Sequence, residues 1–431
     1  MMATVVGGGL AGCEAAWALA ERGIDVTLYE MRPRVKTPAH QTERLAELVC
    51  SNTFKSVELE NAHGLLKWEL RVLGSLLLEC ADSARVPGGS ALAVDRTLFA
   101  QAVEERLLSH PKIKVVREEL TTIPAPGVVA TGPLTSEALA GAIAERLGAS
   151  ALAFYDAIAP IVSAESLDHA RLYRMSRYGK GNGDDYLNAP MDAEEYGAFI
   201  DALGHADEFT AHEFDQVPYF EGCLPIEEMA RRGRETLRFG PLKPVGLPDP
   251  ASGREPFAVV QLRREDAAGQ MWNLVGFQTR LRIPEQRRVF GMIPGLARAE
   301  YFRFGSIHRN SYLKSPAVLG PALTAKDDDR VFFAGQLTGV EGYTESLGTG
   351  LLAGINLARR LDGKPPVLPP PTTMLGGLYR YLRDADPGHF QPMNANFGLV
   401  DPLPHRVKKA DKRAQLVARA QTDLAAWKDS W

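Results

Sequence analysis

A glycine fingerprint near the N-terminus constrains this chain more than any other feature. Residues 3–32 read ATVVGGGLAGCEAAWALAERGIDVTLYEMR. The apolar run Ala3 to Val6 enters Gly7-x-Gly9-x-x-Gly12, a helix is expected from Glu14 to Arg22, and a second strand from Asp25 to Tyr29 ends at Glu30. That order is one βαβ unit. Gly7 permits the tight turn, Gly9 lets a pyrophosphate approach the backbone, and Gly12 lets helix and strand pack closely. The following helix N-terminus offers unpaired N–H groups and partial positive charge. Gly7, Gly8, Gly9, Leu10, Ala11 and Gly12 are therefore the expected pyrophosphate cradle. Glu30, 18 residues past Gly12, is placed to accept from a ribose, with Arg32 beside it. An acid at that point suits an adenosine ribose without a 2′-phosphate, so FAD or NAD fits better than NADP.

With 431 residues and 45% hydrophobic content, the chain can bury about two or three domain cores. No run approaches the roughly 18 apolar residues of a membrane helix, and the N-terminus enters a strand directly, so a cytoplasmic protein is expected, without membrane contact. The four cysteines, Cys13, Cys50, Cys80 and Cys223, are scattered with no CxxC pair, so no metal site is expected. A net charge of −4 means that an RNA partner would need a local basic patch.

Beyond Glu30, residues 32–41 are expected to form an ordered loop near the cofactor, and 42–49 (TERLAELV) a helix delivering Cys50, Ser51 and Asn52. Residues 57–80 carry apolar positions at helical spacing. VPGGSALAVDR (86–96) reads as a Gly-rich connection without phosphate-loop spacing, and Arg96 to Leu107 as a helix. A short strand ending in Ala130, Thr131 and Gly132 brings backbone back under a bound dinucleotide. From Phe154 to Ala325 the βαβ periodicity is lost, which indicates an inserted mixed α/β domain. Inside it Cys223 lies in the turn-rich FEGCLP. Val331 to Gly354 restores the first domain: a strand to Ala334, Gly335 for close approach, and a small-residue helix from Ser346 to Ala358. Residues 365–371 form a stiff spacer. The tail from Pro402 holds Arg406, Lys408, Lys409, Lys412, Arg413 and Arg419 on a helical stretch, either a solvated surface helix or a phosphate-contacting one. The expected fold is α/β: a Rossmann-like FAD-binding domain of glutathione-reductase type (1–153 and 326–431, the latter with the basic tail) interrupted by the inserted domain (154–325).

Together the segments GGGLAGCEAAW, LYEMRP, PAHQTERLAELVCSN, LENAHGLLK, ATGPLTS, YFEGCLPIEEMA, VGFQT, IHRNSY and AGQLTGVEGYTES resemble, in order and over nearly the whole length, the flavin- and folate-dependent tRNA uracil-5-methyltransferases, the TrmFO family. Gly8 and Cys13 depart from the Ala and Ser expected there. The resemblance implies conversion of the T-loop uridine, U54, to ribothymidine, with methylenetetrahydrofolate as carbon donor and FAD reduced by NADPH or NADH. It implies tRNA, folate and NAD(P)H as partners and no protein partner. Uracil C5 becomes nucleophilic only after something adds to C6, and a cysteine thiolate is the natural addend. Family motifs point to Cys223 and Cys50. Cys223 is expected to attack C6 and Cys50 to assist proton removal from C5 or protect the flavin, although the roles could be exchanged. Arg96 or Arg309 could lower a thiol pKa. Tyr343 is expected to pack on the isoalloxazine or pterin, and His308, Arg309 and Asn310 to hold folate or a phosphate. Three rivals remain: a wobble-uridine tRNA-modifying flavoprotein, a general FAD-dependent oxidoreductase without RNA substrate, and a non-enzymatic flavin-binding RNA module.

Overall fold

The structure is a computed structural model describing residues 1–37, 39–148, 152–209 and 224–431, without the side chains of 152–158 and 307–310. Its first sheet has five parallel strands in the order Val331–Phe333, Gly127–Val129, Met2–Val6, Asp25–Tyr29 and Ile113–Val116. Strand residues such as Val5, Val128 and Phe333 are fully buried, as expected when helices cover both faces of a parallel sheet. Val6 is in register with both Tyr29 and Val129, so the glycine turn leaves the sheet between its two neighbours.

The helix Leu10–Ala20 begins three residues after Gly7, earlier than the expected Glu14. The helix Tyr343–Leu361, also longer than expected, packs against it. Their contact is made by missing side chains. A Cβ on Gly350 would lie 2.2 Å from the Ala11 carbonyl oxygen, and one on Gly354 would lie 2.6 Å from that of Ala15. The C-terminal return therefore seats backbone to backbone on the fingerprint helix.

Two predicted elements are different. Residues 42–49 are not helical. The Glu47 carboxylate accepts from the backbone N–H groups of Gln41 and Thr42 and from the Thr42 hydroxyl. Such local side-chain bonds compete with helix formation. Ala46 takes φ +53°, and its N–H donates to the Gly8 carbonyl at 2.8 Å. The segment is an irregular strap over the glycine turn. The Gly-rich 86–96 stretch contains strands Arg85–Val86 and Ala91–Val94, which join Thr53–Ser56 in a three-stranded antiparallel sheet.

The middle of the chain builds its own core around Trp272, Tyr196, Phe199 and Phe277. Its six-stranded antiparallel sheet runs Tyr173–Arg174, Tyr186–Met191, Ala258–Arg264, Met271–Leu274, Ile161–Ser163, Tyr301–Arg303. A two-stranded ribbon, Leu152–Ile158 against Ser306–Tyr312, carries the chain out and back. Tyr312, Leu313, Leu319 and Ala325 already lie in the first core. The C-terminal helix Lys412–Lys428 buries Leu416, Val417, Ala420 and Leu424, while Lys412 and Arg413 are exposed. Among the described residues, no helix is long and apolar enough to cross a membrane.

Candidate active site

A cleft opens at the C-terminal ends of the central strands, lined by Gly7, Gly9, Glu30, Arg32 and Thr131 among the expected residues. This is the crevice in which parallel α/β sheets take ligands. Gly7 turns with φ +101°, and Gly12 touches the Gly7 carbonyl so closely that a Cβ would lie 1.8 Å from its oxygen. A Cβ on Gly9 would meet nothing within 4 Å. Gly9 thus presents bare backbone to the cleft, whereas Gly12 exists for packing. Gly8, Ala11 and Ala130 are buried behind the cleft, Leu10 is half-buried in the first helical turn, and Gly132 opens a short turn with φ +66°. Sequence reasoning missed His40, Glu118, Leu120, Thr135 and Ser136, which also line it. Burial first, and Arg32 second, push the His40 imidazole down to about 4, leaving it neutral at pH 7.

Glu30 is already engaged. Its carboxylate accepts from the Gly8 N–H at 3.0 Å, the Arg32 N–H at 3.0 Å, and the Arg32 Nε and Nη2 at 2.9 and 3.1 Å. Burial alone would raise its pKa, but the Arg32 hydrogen bonds and charge outweigh it and hold the carboxyl below its ordinary value. About four acceptor positions exist on a carboxylate, so a ribose hydroxyl would have to share them. Arg32 also reaches Glu47 at 3.0 Å, tying the strap to the second strand.

Cys50 lies where the two cores meet, in a loop held from three sides. Its N–H donates to the Tyr343 hydroxyl at 2.9 Å. Its carbonyl accepts from Arg96 Nη2 at 2.9 Å, and Arg96 also donates to the Leu48 carbonyl. Arg96 is in turn paired with buried Glu265 at 2.7 Å, a residue just past the strand Ala258–Arg264. Asn52, fully buried, donates to the Val94 and Arg264 carbonyls and accepts from Arg263 Nε at 3.0 Å. The loop's backbone is thus fixed by both domains. Cys50 itself remains half-buried, not enclosed.

Tyr343 opens the return helix and packs its ring 5.6 Å from Phe54. Two residues on, the Glu345 carboxylate accepts from the Ala395 N–H at 2.8 Å and stands 3.2 Å from His63 Nδ1. Burial opposes its ionisation, yet Lys55 and His63 bring its pKa to about 2. Gly335 approaches the fingerprint helix, with φ +74° and a would-be Cβ 2.9 Å from the Ala11 Cβ. Cys13 is buried, its Sγ donating to the Gly8 carbonyl at 3.3 Å, and burial pushes its pKa far up. It is an inert thiol. Cys223 lies outside the described residues. The described chain resumes at Leu224, where the Ile226 N–H donates to the Gln278 carbonyl and Glu227 accepts from the Thr279 hydroxyl and the Arg280 N–H. His308, Arg309 and Asn310 fall on the returning strand of the ribbon.

The parallel sheet, glycine turn and strand-end cleft define a Rossmann-like dinucleotide-binding protein with a second, antiparallel domain inserted. Residues 2–365 match the family described as "Glucose inhibited division protein A". The chain is 58% identical over 426 residues to the "Methylenetetrahydrofolate--tRNA-(uracil-5-)-methyltransferase TrmFO" of Geobacter sulfurreducens, covering 98% of each. It is 54% identical to that of Pelobacter propionicus, covering 98% of this chain and 94% of the relative. The solved structure of Aquifex aeolicus GidA matches 99% of this chain and 73% of its own, with a TM-score of 0.70 at 17% identity, which is a likeness of fold. The chain belongs to the TrmFO family.

Proposed function

We propose that this chain methylates C5 of uridine 54 in the T loop of tRNA, using methylenetetrahydrofolate, FAD and NAD(P)H. The observation that carries this reading is the end-to-end similarity to methyltransferases of that name. The glycine turn, open Gly9 and strand-end cleft fit FAD, with Gly7 to Gly12 at the pyrophosphate, Glu30 and Arg32 at the adenosine end, and Ala130 to Gly132, Gly335 and Tyr343 toward the flavin. Bound FAD, reduced by NAD(P)H, would supply the hydride that turns a methylene into a methyl. Cys223 is the proposed nucleophile for C6: its sulfur–carbon bond forms, the C5–C6 π pair moves toward O4, and C5 becomes nucleophilic. Cys50 is the proposed base for the C5 proton or guard of the flavin. The clamp by Tyr343, Arg96 and Asn52 supports a thiol held in one place, because reactive groups act when their position is fixed in advance. The exposed Lys408, Lys409, Lys412 and Arg413 are proposed phosphate contacts. The proposed partition remains 1–153, 154–325 and 326–431, with the packing of Tyr312 to Ala325 favouring an earlier return.

The test is to incubate the flavin-loaded protein with unmodified tRNA, methylenetetrahydrofolate and NADPH or NADH, and to analyse the nucleosides by mass spectrometry. Folate-dependent ribothymidine that disappears in Cys223→Ala is expected. NADPH oxidation without any change in the tRNA would favour a general flavin oxidoreductase.

A further inference from the structure

Among the described residues, the edge strand Tyr301–Arg303 borders only Ile161–Ser163, and its register breaks: Tyr301 stands opposite Val162, and Arg303 opposite Ile161. Two steps on one strand therefore face one on the other, a β-bulge centred on Phe302. Bulges at sheet edges re-aim side chains. Val162 and Tyr301 belong to the face packed on the inserted core, together with Trp272. The opposite face is defined by the row Arg263, Asn273, Ile161, Arg303, and Arg263 on that row touches Asn52 in the Cys50 loop. The bulge thus turns Arg303 to the side that meets the Cys50 loop. Phe302 is left 61% exposed at the free edge.

Arg303 is half-buried and has no hydrogen bond or ion pair among the described residues. Burial, then the Arg96 charge, disfavour its own charge, while Cys50, Tyr343 and Glu265 act in the opposite direction. Arg298 is exposed and without an acidic partner among the described residues, and Arg287 lies 5.1 Å over the Phe304 ring, which stacks on Tyr301 at 4.6 Å. Several guanidinium groups of this domain are neutralised in pairs, as in Arg234–Asp201, Arg238–Glu235 and Arg280–Glu228, and Arg303 is not among them. An uncompensated arginine beside an exposed aromatic is the pairing that binds single-stranded nucleic acid, the cation holding backbone phosphate and the ring stacking on a base.

We propose that Phe302 and Arg303 form the lip over which the RNA loop reaches the Cys50 loop. Arg303 takes a phosphate of the entering strand, and Phe302 stacks on a base beside it. This rests on the tRNA reading of the site and adds to it the element that presents the loop to Cys50.

The experiment measures binding of an unmodified tRNA transcript to the flavin-loaded full-length protein across a salt series, without folate or NADPH. Arg303→Met, Phe302→Ala and Phe302→Trp are compared with wild type, and Phe239→Ala, an equally apolar ring 81% exposed on the same domain, serves as control. Arg303→Met is expected to weaken binding about tenfold and to lower the salt slope by about one. Phe302→Ala is expected to weaken it about tenfold with the slope kept, and Phe302→Trp to restore it. Flavin absorbance reports whether Arg303→Met has folded; if it has not, exposed Phe302 carries the test. Wild-type affinity and slope in the variants would overturn the proposal. A wild type that binds no tRNA would instead overturn the functional reading beneath it.

Discussion

The Tyr343 hydroxyl accepts a hydrogen bond from the backbone N–H of Cys50 at 2.9 Å, across 293 positions of sequence. A tyrosine expected to serve as a flat surface for the flavin is also a clamp on the cysteine loop. Tyr343→Phe keeps the ring and removes the acceptor. Losing the partner of a part-buried donor costs about 1–3 kcal/mol, so methylation kcat is expected to fall roughly tenfold while flavin content stays at wild type. An unchanged kcat would show that the loop does not need this bond.

Arg96 and Glu265 join the cysteine loop to the inserted domain. Glu265 is almost fully buried and Arg96 largely so, so removing either partner leaves a poorly solvated charge, at about 3–5 kcal/mol. Glu265→Gln and Arg96→Met should each lower the urea midpoint, and the double variant should be much less destabilised than the sum. Strict additivity would mean that the pair does not couple the domains.

Two glycines distinguish binding from packing. At Gly9, φ is −79° and an added Cβ meets no protein atom within 4 Å, whereas at Gly350 it would strike the Ala11 carbonyl. Gly9→Ala should retain thermal stability in the flavin-free protein and lose flavin affinity. Gly350→Ala should lower the melting temperature with or without flavin. Destabilised flavin-free Gly9→Ala would contradict the assignment of Gly9 to the ligand.

Burial raises Glu14 to about 7, and its Oε1 has no hydrogen-bond partner among the described residues, while Oε2 accepts from the Leu77 N–H at 3.1 Å. The folded pKa lies above the unfolded one near 4.5. Below pH 4.5 both states are protonated, and as pH rises to about 7 the unfolded state ionises first, so stability is lost over that window. Glu14→Gln should remove this decline and be more stable than wild type at pH 8, by roughly 1–3 kcal/mol. Equal slopes between pH 5 and 7 would show that Glu14 does not titrate there.

The sequence by itself determined the parallel sheet, the glycine cradle, the interruption by a second domain and its return, because these follow from local spacing: strand, turn and helix periods are written within about 30 residues. It also singled out Cys50 and Tyr343, but not that they touch. The false helix at 42–49 shows the limit. Its apolar spacing is helical, yet Glu47, Arg32 and the Gly8 carbonyl capture the segment as a strap, and two of those three partners lie outside it in sequence. Likewise nothing local to Arg303 marks it. Its orientation follows from a bulge in register with Ile161, and that it makes no ion pair among the described residues follows from the packing around it. Contacts between residues hundreds of positions apart, and the burial that sets which charges are paired, were decided only by tertiary packing.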